Sequence, residues 1–233
     1  MKLLIRVFGF AGLLLLTMLP IVMIGVFSGF NPLFKSKGFY PVLLAVECLL
    51  FAVAAWGALA ALKAVLRKQT RPDPWPAAVR PPLHLWLVSG GCLLLILALS
   101  PLYDWLAPWH GGGSINELGN QQGLMLMLAQ LPWLLALHVV LFAPLAEELL
   151  FRGVFFNAFP KGWHSRLRWL LPTASALLFA LLHSLPNHPG FVLYFLMGWL
   201  FGGLYLYTRR LRYPVAVHML NNTLGFAALY FQA

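Results

Sequence analysis

Six acidic residues in a chain of 233 are too few to give a protein of this size an ordinary water-facing surface. Charged residues of both signs reach only 9%, against about one quarter in soluble domains, while 61% of residues are hydrophobic. Mean hydropathy is +0.81. One water-soluble core does not accommodate that much apolar surface, so the chain reads as an integral membrane protein. Stretches alternating with period two over ten residues are missing, which excludes a membrane β-barrel, and no internal repeat is visible. Cysteine is scarce as well. Cys48 and Cys92 both fall in apolar runs with no metal or redox spacing around them, and read as small buried hydrophobes.

What is present is a series of apolar runs close to the roughly 20 residues that cross a bilayer. Seven are visible: 7–30, 40–62, 83–103, 123–142 running on into 143–156, 169–183, 190–207 and 213–230. The expected fold is therefore an all-α polytopic bundle of about seven transmembrane helices. The N-terminal run has Lys2 and Arg6 before it in the manner of a secretory signal, but continues past Pro20 without a small-residue cleavage site, and reads as a retained first helix. The closing LYFQA runs on from an apolar helix and reads as native. A proline-rich linker, 69–82, marks off N-terminal helices 1–3 (1–122) from a C-terminal unit of helices 4–7 (123–233), which is expected to hold the active site. The stretch from Tyr103 to Gly123 reads as a mobile interfacial loop.

A net charge of +10 raises nucleic acid as a partner, but the basic residues form no stripe interleaved with exposed aromatics. They sit between the spans. Thirteen of the 16 fall on one side, at Lys2, Arg6, Lys63, Arg67, Lys68, Arg71, Arg80, Lys161, Arg166, Arg168, Arg209, Arg210 and Arg212. Only Lys35 and Lys37 fall on the other, and Arg152 lies inside a span. By the positive-inside rule the N-terminus is cytoplasmic and the C-terminus outside, and the expected location is the cell inner (cytoplasmic) membrane.

Polar residues within the spans are concentrated after Pro132: Glu147, Glu148, Arg152, Asn157, His183, His218, Asn221 and Asn222. Glu47, in the second span, is the exception and reads as an interfacial carboxylate near Lys35 or Lys37. An ionisable group at membrane depth is costly unless it is paired or faces water, which makes each one a functional candidate. In APLAEELLFRGVFF (143–156), helical spacing places Glu148 and Arg152 four apart on one face, acid before base, as a local pair. Glu147 is rotated by about 100° and has no such partner. It must meet another helix or a wet cavity. His183 and His218 are candidates for that meeting, with Asn221 and Asn222 one turn beyond His218. Singly, such residues serve equally well as hydrogen-bonded helix glue. Together they supply a carboxylate and imidazole to activate water, and an imidazole and amide to hold an oxyanion.

Three short motifs carry these residues in order: EELLFR (147–152), FALLH (179–183) and HMLNN (218–222). In this the chain resembles the CPBP family of intramembrane proteases, which includes the type II CAAX prenyl proteases and bacteriocin-immunity and abortive-infection-like proteins. The resemblance covers roughly Ala143 to Gly225, and the first three spans match nothing specific. It implies that Glu147 is the general base, that His183 helps to activate the water, and that His218 and Asn222 hold the oxyanion. Glu148 with Arg152 supports them. The expected substrate is a membrane-associated protein or peptide cleaved near its terminus, with the lipid bilayer as the surrounding partner and no nucleic acid. A metal-free glutamate mechanism is favoured. The alternative is zinc held by Glu147, His183 and His218, although no His-Glu-x-x-His signature is present. Readings from other classes are a transporter, whose polar path uses the same residue types, and a non-enzymatic peptide-binding immunity protein. Counted from the cytoplasmic ends of their spans, His218 lies about 8 Å deep and His183 about 21 Å, so they meet only if the fifth span is short or displaced.

Overall fold

A computed structural model describes residues 2–29, 39–67, 81–111, 113–115, 118–158 and 169–232. Among these, eight helices and no strand are found: α1 (Lys2–Gly29), α2 (Tyr40–Arg67), α3 (Pro82–His110), α4 (Gly119–Leu128), α5 (Pro132–Ala158), α6 (Leu170–His183), α7 (Gly190–Thr208) and α8 (Arg212–Gln232). Five of them, α1, α2, α3, α5 and α7, are long and apolar enough to cross a membrane by length and composition. The protein is an all-α multi-pass membrane protein. The linker 69–82, apart from its last two residues, lies outside the described residues, as do Lys35 and Lys37.

The fourth apolar run is corrected in place. The helix begins at Pro132 rather than at residue 123, and continues through 143–156, as expected, to Ala158. Proline has no N–H to continue α4 and forces the residue before it out of helical geometry, and Leu131 accordingly sits at φ −135°, ψ 57°. Residues 119–128 form a separate short helix. Much of the expected loop between Tyr103 and Gly123 is therefore helical, because α3 continues to His110 despite Pro101 and Pro108. Gly111 ends it at φ +67°, a left-handed conformation glycine adopts without strain, and donates its N–H to the Ala107 carbonyl.

The surface is inverted relative to a soluble protein. Trp56, Leu94 and Trp105 are each at least 70% exposed, whereas Glu47, Glu148, Arg152, Ser175 and His218 are buried. Cys92 is buried as expected, but Cys48 is exposed on the outer face of α2. In a chain whose outer face is apolar, a small hydrophobe is at home on either side.

The fifth span is short, as the histidine depths required: α6 has 14 residues. It packs against α7 at close range, over a face where α7 carries Gly198 and Gly202. A Cβ on Gly198 would meet the Ala176 Cα at 3.1 Å and the Phe179 ring at 3.2 Å; one on Gly202 would meet Pro172 at 3.2 Å. Small residues four apart let two membrane helices approach until their backbones nearly touch. Gly198→Ala should therefore cost roughly 1–3 kcal/mol by overpacking, read as a fall of several degrees in the thermal midpoint of detergent-solubilised protein. Gly203→Ala, whose Cβ meets nothing within 4 Å, should leave the midpoint unchanged or raise it.

Candidate active site

The central element is α5, which is not a regular α-helix. It widens into π-type turns at His138–Phe142 and again at Leu149–Val154. In the first, the Ala143 N–H reaches back five residues to the His138 carbonyl. Pro144 follows at once, and its missing N–H deprives the carbonyls four and five residues earlier, Val140 and Val139, of a donor. The Asn222 side chain from α8 compensates, its Nδ2 donating to the Val139 carbonyl at 2.9 Å. In the second wide turn the Phe155 N–H reaches the Leu150 carbonyl, also five residues back.

Between the two turns lies the charged cluster. Glu148 and Arg152 are both fully buried and form the expected pair, Arg152 Nη1 donating to Glu148 Oε1 at 2.8 Å. Its Nη2 donates to the Gly198 carbonyl at 2.8 Å, a contact opened by the close approach of α7. The guanidinium is also packed among Phe151, Phe179 and Phe201, 5.4 to 5.8 Å from each ring centre. The sequence did not reveal a third member. His218 Nδ1 lies 3.0 Å from Glu148 Oε1, and since a carboxylate only accepts, Nδ1 carries the hydrogen. The other ring nitrogen, Nε2, lies 3.9 Å from Glu147 Oε2. His218 thus stands between the two glutamates.

Glu147 is 7% exposed and makes no hydrogen bond among the described residues. It lines a cavity of about 520 Å³ together with His183, His218, Asn221 and Asn222. All four residues of the expected catalytic set are therefore on one wall system. His183 Nδ1 donates to the Phe179 carbonyl at 2.8 Å, which leaves Nε2 as the nitrogen with a lone pair in the neutral ring. The Phe179 ring stacks on His183 at 4.3 Å and meets His218 edge-on at 6.0 Å, so one phenylalanine spaces the two imidazoles. Asn222 has one N–H committed to Val139 and a second remaining; its Oδ1 accepts from Asn221 Nδ2 at 3.2 Å. Asn157 is a packing residue, donating to the Gly153 carbonyl and Tyr205 Oη.

Two expectations need correction. The cavity is not confined to the C-terminal helices, because Thr17 of α1 and Ser100 and Asp104 of α3 also line it. Glu47 is not interfacial: it is fully buried, with Oε1 3.2 Å from Nδ1 of His138. An acid in the middle of an apolar helix requires a buried partner, and His138, an imidazole deep in an apolar run with no other role, was the available signal. For zinc, no group of three or more His, Cys, Asp or Glu side chains is placed to hold a metal ion among the described residues.

Removing one member of a buried ion pair strands the other. Arg152→Met should lower the unfolding free energy by about 3–5 kcal/mol, measured by denaturation in detergent, because Glu148 keeps only His218 as a charge partner. Arg152→Lys should recover little of it, since a lysine cannot serve Glu148 and the Gly198 carbonyl with a planar fork.

Residues 129–224 match the family model described as type II CAAX prenyl endopeptidase Rce1-like. The membrane-embedded CAAX protease MroQ of Staphylococcus aureus (strain USA300) is 31% identical over 149 residues, 62% of this chain and 57% of that protein. The "Putative membrane peptidase YdiL" of Bacillus subtilis (strain 168) is 25% identical over 139 residues, 60% of this chain and 53% of that protein. The chain thus spans little more than half the length of either relative. No solved structure matches. Glu147, Glu148, Arg152, His183, His218 and Asn222 all lie within the matched segment, so the part of this multi-pass membrane protein that carries the candidate site is the part similar to the type II CAAX prenyl endopeptidases of the CPBP family.

Proposed function

We propose that the chain is an intramembrane endopeptidase that cleaves a membrane-associated protein or peptide near its terminus, using water activated by Glu147. The observation that carries this reading is the position of Glu147: a carboxylate without a hydrogen-bond partner among the described residues, on the wall of a cavity shared with His183, His218 and Asn222. The Glu147 carboxylate takes one proton from a water whose other contact is the lone pair on His183 Nε2. The water oxygen attacks the peptide carbonyl carbon, and the carbonyl π electrons move onto oxygen. His218 Nε2–H and the second Nδ2–H of Asn222 hold that oxyanion. Its collapse breaks the C–N bond, and Glu147 returns the proton to the departing amine.

The buried cluster explains how His218 serves as a donor. Because Nδ1–H is spent on Glu148, a donor at Nε2 requires the doubly protonated ring. With both glutamates ionised and His218 and Arg152 as cations, the four buried groups carry no net charge. Glu148 and Arg152 are positioning residues on this reading. No step is routed through a metal; among the described residues Glu147, His183 and His218 are not grouped to bind one. The bias of basic residues toward one side supports a cytoplasmic N-terminus and an outward C-terminus in the inner membrane. Helices α4–α8 form the catalytic unit, with α1 and α3 closing its cavity.

Purified protein in lipid nanodiscs, offered candidate membrane peptides and followed by mass spectrometry, tests the assignment. Glu147→Gln should fold, insert and cleave nothing; full activity in that variant sinks the proposal. Asn222→Ala should lose about 100- to 1,000-fold in rate, the usual cost of one oxyanion donor. A strong chelator should leave the wild-type rate unchanged, and a zinc-restored loss would return the mechanism to the metal.

A further inference from the structure

Glu47 and His138 form a buried carboxylate–imidazole pair that the reaction above does not use. They belong to a wider contact in which α2 and the start of α5 lie side by side and run the same way. The Leu134 N–H donates to Tyr40 Oη at 3.0 Å, Glu47 meets His138, and the Phe51 ring stacks on Phe142 at 4.0 Å with the planes 4° apart. His138 and Phe142 are the first and last residues of the wide turn. The middle contact is an unusual one to bury. Both Glu47 oxygens and His138 Nδ1 lack an aligned hydrogen bond among the described residues, although Nδ1 and Oε1 are only 3.2 Å apart. Around Glu47 the neighbours are apolar, with Leu43, Leu131 and Leu134 in the adjoining cluster, while His138 also lines the cavity. A carboxylate there is tolerable only while it shares charge or a proton with the ring, so the pair ties α2 to the first residue of the turn.

The next residue is Val139. Its carbonyl faces a missing donor at Pro144 and takes Asn222 Nδ2 instead. The orientation of the Asn222 carboxamide, and with it the direction of its second N–H, is therefore set by where the wide turn places one carbonyl. We propose that Glu47 and His138 are positioning residues for Asn222: by pinning the turn 138–142 from α2, they hold the Val139 carbonyl where it aims the free Asn222 N–H into the cavity. This rests on the oxyanion role given to Asn222 above. It also gives the N-terminal helices a part in the chemistry.

The variants are Glu47→Leu, which removes the contact while filling the space, and Glu47→Gln, which keeps an oxygen to accept from His138 Nδ1. In full-length protein in nanodiscs, Glu47→Leu should lower kcat by up to about 100-fold, the cost of misplacing an active group by about 1 Å, with KM changed less than about threefold. Glu47→Gln should restore most of the rate. In an Asn222→Ala background, Glu47→Leu should cost less than about twofold more, because the group it positions is gone. Equal losses in both backgrounds would overturn the proposal and leave the pair a packing contact. A second readout does not depend on cleavage. In protein labelled with ¹⁵N-asparagine, the Asn222 side-chain amide signal, assigned by its absence in Asn222→Ala, should move in Glu47→Leu and return in Glu47→Gln. An unmoved signal overturns the positioning role whatever the rates. If the wild type cleaves nothing while the amide signal still follows Glu47, the protease reading fails and the coupling of Glu47 to Asn222 stands.

Discussion

Arg152 keeps its guanidinium where neither water nor lipid headgroup reaches it, and several separate parts of the molecule are arranged to make that tolerable. Its two outer nitrogens go to Glu148 on its own helix and to a backbone carbonyl of α7. The second bond is to the carbonyl of Gly198, the residue whose missing side chain lets α6 and α7 pack closely. Glu148, once engaged with Arg152, is an anion that also takes the Nδ1–H of His218 on α8. One buried cation therefore fixes the mutual placement of α5, α7 and α8. A pair of this kind adds little net stability compared with well-packed apolar residues. Its effect is selective: any other docking of these helices leaves a charge stranded in hydrocarbon.

The first wide turn of α5 follows from a single residue type. Proline at 144 cannot donate, and the turn before it opens to five-residue spacing. An opened turn presents carbonyls sideways that a regular helix would keep along its axis, and one of these is the acceptor for Asn222. Wide turns of this kind recur where helices carry functional groups. Here the cause is local, and it lies a few residues before the glutamate pair.

Much of this was legible beforehand because the signals were strong and local. The spans follow from apolar length, the Glu148–Arg152 pair from i to i+4 spacing, and the shortness of α6 from the need for His183 and His218 to meet. The candidate residues Glu147, His183, His218 and Asn222 do line one cavity. What escaped depended on partners distant in sequence. Nothing near Glu47 names His138, 91 positions away, and nothing near Glu148 names His218. The break before Pro132 escaped for a different reason: residues 123–142 are apolar almost throughout, and hydropathy does not register the backbone cost of a proline. Thr17 on α1 and Ser100 and Asp104 on α3 reach the cavity from two helices far in sequence from the motifs that carry its other polar residues.

The length of α6 bears on how a hydrolytic site inside a membrane is fed. Fourteen residues rise about 21 Å, roughly 9 Å less than the hydrocarbon thickness of a typical bilayer. The chain beyond His183 turns through Ser184 to Pro189 before α7 begins, its Ser184 and His188 N–H groups donating to the Ala180 and Leu185 carbonyls, so compact non-helical backbone takes the place of the last turns of a full-length span. Each peptide bond hydrolysed consumes one water, and for the proposed reaction a helix that stops short reduces the dry distance that water must cross.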